Sequence, residues 1–175
     1  MKIALVIAAA LVLLLLAGAV SFAARLRARH RRFLQAAPPA APDAERIVDQ
    51  PQALYHGTRF ADGSALLARA WKEPCVCDVW CTAQALFIRR EAQGPLLAIA
   101  HQEIGDAALH RAFAPIAEKD LPMLKLRWSR GGETLVTELS LRGGMESLEA
   151  LRREIHLRQA NVKEQLAPLL EKTPE

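Results

Sequence analysis

Residues 124–141 read Leu-Lys-Leu-Arg-Trp-Ser-Arg-Gly-Gly-Glu-Thr-Leu-Val-Thr-Glu-Leu-Ser-Leu. Leu124, Leu126 and Trp128 alternate with Lys125, Arg127 and Ser129, the period-two pattern of a strand buried on one face. Arg130-Gly131-Gly132 supplies a turn, and Leu135, Leu139 and Leu141 then alternate against Thr134, Glu138 and Ser140. The stretch therefore predicts two adjacent antiparallel strands, and with them a domain built mainly from sheet.

Working back toward the N-terminus, short apolar runs separated by turn signals continue that pattern. Strands are expected over 53–58, 75–82, 86–91, 96–100 and 107–113, with Pro74, Gln93-Gly94-Pro95 and Gly105-Asp106 marking the breaks. A short helix is compatible with 64–71, where Leu66, Leu67 and Ala70 share a side, and 114–121 reads as loop. Toward the C-terminus, Gly143-Gly144 ends the sheet. A helix from Met145 to about Gln159 follows, with Glu146 and Glu149 in its first turns and Leu148, Leu151 and Ile155 forming one apolar stripe. Residues 160–175, broken by Pro168, read as an amphipathic, partly disordered tail.

The first part of the chain is of another kind. Residues 3–24 carry no charge and are rich in Leu, Val, Ile and Ala; as a helix they reach roughly 33 Å, enough for a bilayer core. Inside hydrocarbon a lone apolar segment must satisfy its own amides, so it spans as a helix. Residues 1–2 precede it, and the basic flank 25–34 follows with Arg25, Arg27, Arg29, Arg31 and Arg32. These five arginines outweigh Lys2, which places the C-terminal domain in the cytoplasm and the N-terminus outside. A cleaved signal peptide is the competing reading, since Ala17-Gly18-Ala19 and Ser21-Phe22-Ala23 offer small residues for cleavage. The apolar run is longer than a signal core, and the arginines resist export. Prolines 38, 39, 42 and 51 and many alanines make 35–52 an extended linker to a domain over 53–159.

The formal charge of +4 belongs to the membrane flank. Setting aside Lys2 and the five arginines leaves 17 basic against 19 acidic side chains, so no nucleic-acid surface is expected. Cys75, Cys77 and Cys81 fall on one face of the expected strand together with Val79, as small buried hydrophobes in a reducing compartment. A Cys-x-Cys-x3-Cys metal site would lack the paired Cys-x2-Cys turns and a fourth ligand, so no metal is expected. Trp71, Trp80 and Trp128 are assigned to the core.

Seven short strands followed by one amphipathic helix resemble the pleckstrin-homology (PH) superfold, including bacterial PH-like and GRAM-like domains. The likeness is carried by 81–90, by Leu96-Leu97-Ala98-Ile99, by the hairpin around Gly131-Gly132 and by the helix from Met145. It implies a bent seven-stranded antiparallel sheet capped at one end by the C-terminal helix. It also implies a rigid platform for a peptide, a partner protein or a second copy. An anchor followed by such a domain is similar to small single-pass bacterial membrane proteins. Phosphoinositide-binding members carry a basic Lys-xn-Arg-x-Arg pattern across the first two strands. This chain has only Arg59, Arg69 and Lys72 there, so headgroup binding is not carried over.

Tyr55-His56-Gly57-Thr58-Arg59 resembles the His-Gly-Thr/Ser element of ADP-ribosyltransferases, in which the histidine holds the ribose of NAD. That family needs a later aromatic residue against the nicotinamide. Tyr55 is the one tyrosine in the chain, and His101, His110 and His156 stand in no second motif. Cys77, His101 and Asp106 can be named as nucleophile, base and orienting acid, but nothing in their spacing requires it. The expectation is a membrane-anchored, non-enzymatic binding or scaffold module without a cofactor, with a protein or peptide partner and with His56 and Arg59 as candidate binding residues. The alternative is an NAD-dependent transferase using residues 55–58.

Overall fold

The structure is a computed structural model and describes residues 2–35, 45–64, 66, 69–90, 96–115 and 117–170. The chain divides into two units, Met1–Ala36 and Ala37–Glu175.

The first unit is one helix, α1 (Lys2–Gln35). It is long and apolar enough to cross a membrane. Leu13, Leu14, Leu15, Val20 and Phe22 are all more than half exposed on it, a surface that hydrocarbon accommodates and water does not. The helix continues through the arginine flank because Arg, Leu and Ala are strong helix formers and no breaker intervenes before Pro38. Arg25, Arg27, Arg29, Arg31 and Arg32 therefore lie on helical backbone.

The second unit contains β1 (Val48–Phe60), α2 (Arg69–Lys72), β2 (Cys75–Cys81), β3 (Ala85–Arg90) and β4 (Leu96–Ala100). A 3-10 turn (His101–Glu103), β5 (Ile104–Ala114), β6 (Lys119–Arg130), β7 (Glu133–Ser140) and α3 (Gly144–Leu170) complete it. The strands form one seven-stranded sheet in the order β4-β3-β2-β1-β7-β6-β5, every pair antiparallel. The opening hairpin is as expected. Gly131 and Gly132 take φ of 60° and 77°, the doubly left-handed turn whose twist suits adjacent strands, and Arg130 pairs with Glu133.

Central β1 pairs with both β2 and β7 and shifts register twice. The second shift, between Tyr55 and Gly57, turns Tyr55 and Thr58 inward together although they are three apart. Gly57, at φ 112°, permits it: a Cβ there would stand 2.8 Å from the Lys72 carbonyl oxygen of α2.

A chain of hydroxyls crosses the core behind this bulge. Trp128 Nε1 donates to Thr137 Oγ1 at 2.9 Å, and Thr137 and Thr58 stand 2.8 Å apart. Tyr55 Oη is 2.6 Å from both Thr58 Oγ1 and the Trp71 carbonyl. The carbonyl can only accept, so the tyrosine proton goes to it, and each threonine donates one place along: Trp128 to Thr137 to Thr58 to Tyr55 to Trp71. Every link is supplied with one proton, and β6, β7, β1 and α2 are joined.

Cys75, Cys77, Val79 and Cys81 line the buried face of β2, and none of the three cysteines is in a disulfide. Burial pushes the Cys77 and Cys81 thiols up to about 12. Among the described residues no group of three His, Cys, Asp or Glu could hold a metal ion. Labelling of these thiols by a water-soluble maleimide at pH 7 is expected to be orders of magnitude slower in the folded protein than in urea. Fast labelling of native protein would contradict the burial.

Leu148, Leu151 and Ile155 of α3 are fully buried, and the helix packs on β5, β6 and the 3-10 turn. Gln159 Nε2 adds hydrogen bonds to the His101 and Ile104 carbonyls.

Several expected boundaries move. Residues 48–52 of the expected linker belong to β1, because β2 offers them partners: Val48 pairs with Cys81 and Gln50 with Val79. Pro51 falls in the register shift, where a missing N–H costs no ladder bond. Residues 119–121, expected as loop, are strand, since β5 and β6 continue pairing to Ala114 and Lys119. The helix expected over 64–71 is described only at Arg69–Lys72; residues 65, 67 and 68 lie outside the described ones. So do 36–44 of the linker, Glu91, the Gln93-Gly94-Pro95 turn and 171–175 of the tail. Residues 160–170 are helical. Trp80 and Trp128 are core, whereas Trp71 is half-buried.

Candidate functional site

The two expected binding residues, His56 and Arg59, both lie away from the core on β1, and the structure gathers polar side chains around them. Arg59 faces β7 and forks onto Glu138, with contacts of 2.9 and 3.1 Å. Those donors hold the Glu138 carboxyl below its usual range. His110 Nε2 of β5 stands 3.6 Å from the same carboxylate. His56 Nε2 lies 2.9 Å from Ser140 Oγ.

Serine, histidine and glutamate in one patch invite comparison with a hydrolytic triad, and the protons decide against that role. Ser140 Oγ is 3.0 Å from the Pro122 carbonyl, which can only accept, so the single hydroxyl proton is used there. His56 therefore donates to Ser140 through Nε2, the reverse of a base taking the proton of a nucleophile. Its Nδ1 is buried with no hydrogen-bond partner, so Glu138 does not orient the ring. Burial also lowers the His56 pKa, which keeps the imidazole neutral at pH 7.

The Tyr55-His56-Gly57-Thr58 element is split between faces. The hydroxyls of Tyr55 and Thr58 are committed inside the core chain of hydrogen bonds. Of the trio Cys77, His101 and Asp106, the cysteine beside His101 is instead Cys81, with 3.6 Å between sulfur and Nε2. His101 Nε2 donates to the Thr82 carbonyl at 2.9 Å, and Asp106 is exposed.

Two concavities flank the His56–Ser140 contact. A depression of about 200 Å³ is bounded by His56, Arg59, Gly63 and Lys72. The larger, a groove of about 580 Å³, has apolar walls made by Leu54, Val76, Leu121, Pro122 and Leu141. Lys119 and Arg142 add positive charge, and Gln52 and Ser140 add polar groups. Leu54 stands between Val76 of β2 and Ser140 of β7 in the pairing register, which sets these residues side by side. A concave, mostly apolar surface of this size with a few convergent polar groups is the usual form of a ligand site. Sequence reading missed it. The one signal was Val76, an apolar residue between Cys75 and Cys77 that alternation turns outward and that is 47% exposed.

No family model matches the chain, and no curated protein does. Among solved structures, a chain of "The 8S snRNP Assembly Intermediate" is similar to this one at a TM-score of 0.45 and 8% identity, over 69% of this chain and 87% of that one.

Proposed function

We propose that this chain is a membrane-anchored, cytoplasm-facing binding module without enzymatic activity, and that its sheet and α3 form a PH-like domain. The strand order with β1 central and a C-terminal helix packed on β5 and β6 supports the PH-like reading. The observation that carries the binding role is the 580 Å³ groove, built on paired strands beside a polar cluster whose protons are already committed. Its partners are the bilayer, through residues 3–24, and a ligand in the groove, whether protein, peptide or smaller molecule.

A photo-crosslinking amino acid placed at Val76 is expected to form a specific adduct in native membranes, and one at exposed Ser129 is not. No adduct at 76 would remove the groove as the binding face. NAD turnover by the protein, abolished by His56→Ala, would move it to the transferase class.

Orientation follows from five arginines against Lys2 at the ends of the apolar segment. A fluorescent protein fused after Glu175 is expected to be bright and alkaline phosphatase at the same place inactive. The opposite pair of results would reverse the topology, and a mature N-terminus near Ala24 would identify a cleaved signal peptide.

A further inference from the structure

We propose that the groove binds a long-chain carboxylate, a single hydrocarbon chain with one anionic head. The inference rests on the groove being the module's binding face. Its walls are aliphatic, and its charged lining residues are Lys119 and Arg142, with no carboxylate in the lining among the described residues. An apolar body with a negative end matches that distribution of charge.

The backbone beneath the groove favours an alkyl chain over a peptide. A peptide in a sheet-side groove brings N–H and C=O groups that must find partners. At the floor of the groove Leu54 pairs with Val76 on one side and with Ser140 on the other, so the backbone there offers it little. Pro122 has no N–H, and its carbonyl accepts from Ser140. An alkyl chain requires no hydrogen bonds along its length and forfeits none on entering.

A second observation singles out this place. Among the described residues, the non-glycine residues with positive φ are Gln52, at 58°, and Glu118, at 51°. Gln52 lines the groove, and Glu118 lies between two lining residues, Ala117 and Lys119. Such conformations are uncommon for residues with a Cβ and collect at ligand clamps. At Gln52 the gain is visible: its Oε1 accepts from Arg142 Nη1 at 2.7 Å, which steadies that guanidinium at the rim.

The test uses the full chain in zwitterionic lipid nanodiscs with a diazirine-bearing dodecanoate, adducts being mapped by peptide mass spectrometry. Adducts are expected on the segments around Val76 and 117–122. Competition by unmodified octanoate, decanoate and dodecanoate is expected to tighten roughly four-fold per buried methylene. Lys119→Gln with Arg142→Gln, both exposed positions, is expected to weaken dodecanoate by about ten-fold or more while leaving dodecanol unchanged. The ratio between wild type and variant cancels partition into the disc, and an unchanged melting temperature shows the variant folded. Adducts confined to α1, or dodecanol competing as well as dodecanoate in the wild type, would overturn the proposal. A polypeptide adduct at position 76 with no dodecanoate label in the groove would overturn the carboxylate and leave the binding module standing. Neither kind of adduct would remove both.

Discussion

Leu151→Ala combined with Ile155→Ala is expected to abolish the cooperative melt of residues 45–170. Both side chains are fully buried, one helical turn apart, on the stripe that seats α3 against β5, β6 and the 3-10 turn. Each truncation removes transfer energy and leaves a cavity, at about 2–5 kcal/mol apiece for such sites. Two of them reach the range of about 5–15 kcal/mol that holds an ordinary domain together, so the double variant has little or no folded population. Arg153→Ala, exposed on the same helix, is the control and should melt within about 0.5 kcal/mol of wild type. Circular dichroism melts of the three proteins decide the matter. A double variant melting at the wild-type temperature would mean that α3 does not hold the sheet, and the PH-like reading would go with it.

The parts of the fold that were legible are those where one local rule sufficed. Alternation around Gly131-Gly132 located β6 and β7, since one face of each is dry and the turn needs two left-handed residues. The cysteine face of β2 and the leucine stripe of α3 followed from periods of two and 3.6. What escaped depended on partners distant in sequence. Residues 48–50 look like linker until β2 is known to lie alongside, and 119–121 look like loop until β5 supplies the opposite strand. Alternation alone does not place the bulge at Tyr55 and Gly57, so the sequence marks His56 and Arg59 but not their engagement by Ser140 and Glu138.

The groove was illegible for the same reason in stronger form. Gln52, Val76, Leu121 and Arg142 come from four separate stretches of the chain, and none belongs to a motif. Each taken alone has an ordinary role: a linker glutamine, an exposed valine, a loop leucine, a surface arginine. Their meaning comes from the register of β1 with β2 and β7.

Glu103→Ala is expected to destabilise the domain by about 3–5 kcal/mol, more than any surface ion pair would account for. From sequence Arg130 had only a place beside the turn. In the fold it is buried, with its side chain 5% exposed and its guanidinium 5.0 Å above the Trp128 ring. Its Nε donates to Glu103 Oε1 at 2.7 Å and its Nη2 to Glu103 Oε2 and to the Ala98 carbonyl of β4, both at 2.5 Å. Glu103 Oε2 also accepts from the Ala100 amide at 2.9 Å, which fixes the start of the 3-10 turn. The pair thus ties the end of β6 to β4 and the turn that leads into β5. Removing the carboxylate leaves a guanidinium buried without its counter-charge, and that penalty, rather than the Coulomb attraction lost, sets the size of the effect. Glu103→Gln keeps the shape and an acceptor but not the charge, so it should fall between alanine and wild type. The discriminating protein is Glu103→Leu with Arg130→Met: with neither charge present it should be more stable than Glu103→Ala although it carries one more substitution. Urea melts of the four proteins give the comparison, and a double variant less stable than Glu103→Ala would show that the pair stabilises the domain through its own attraction.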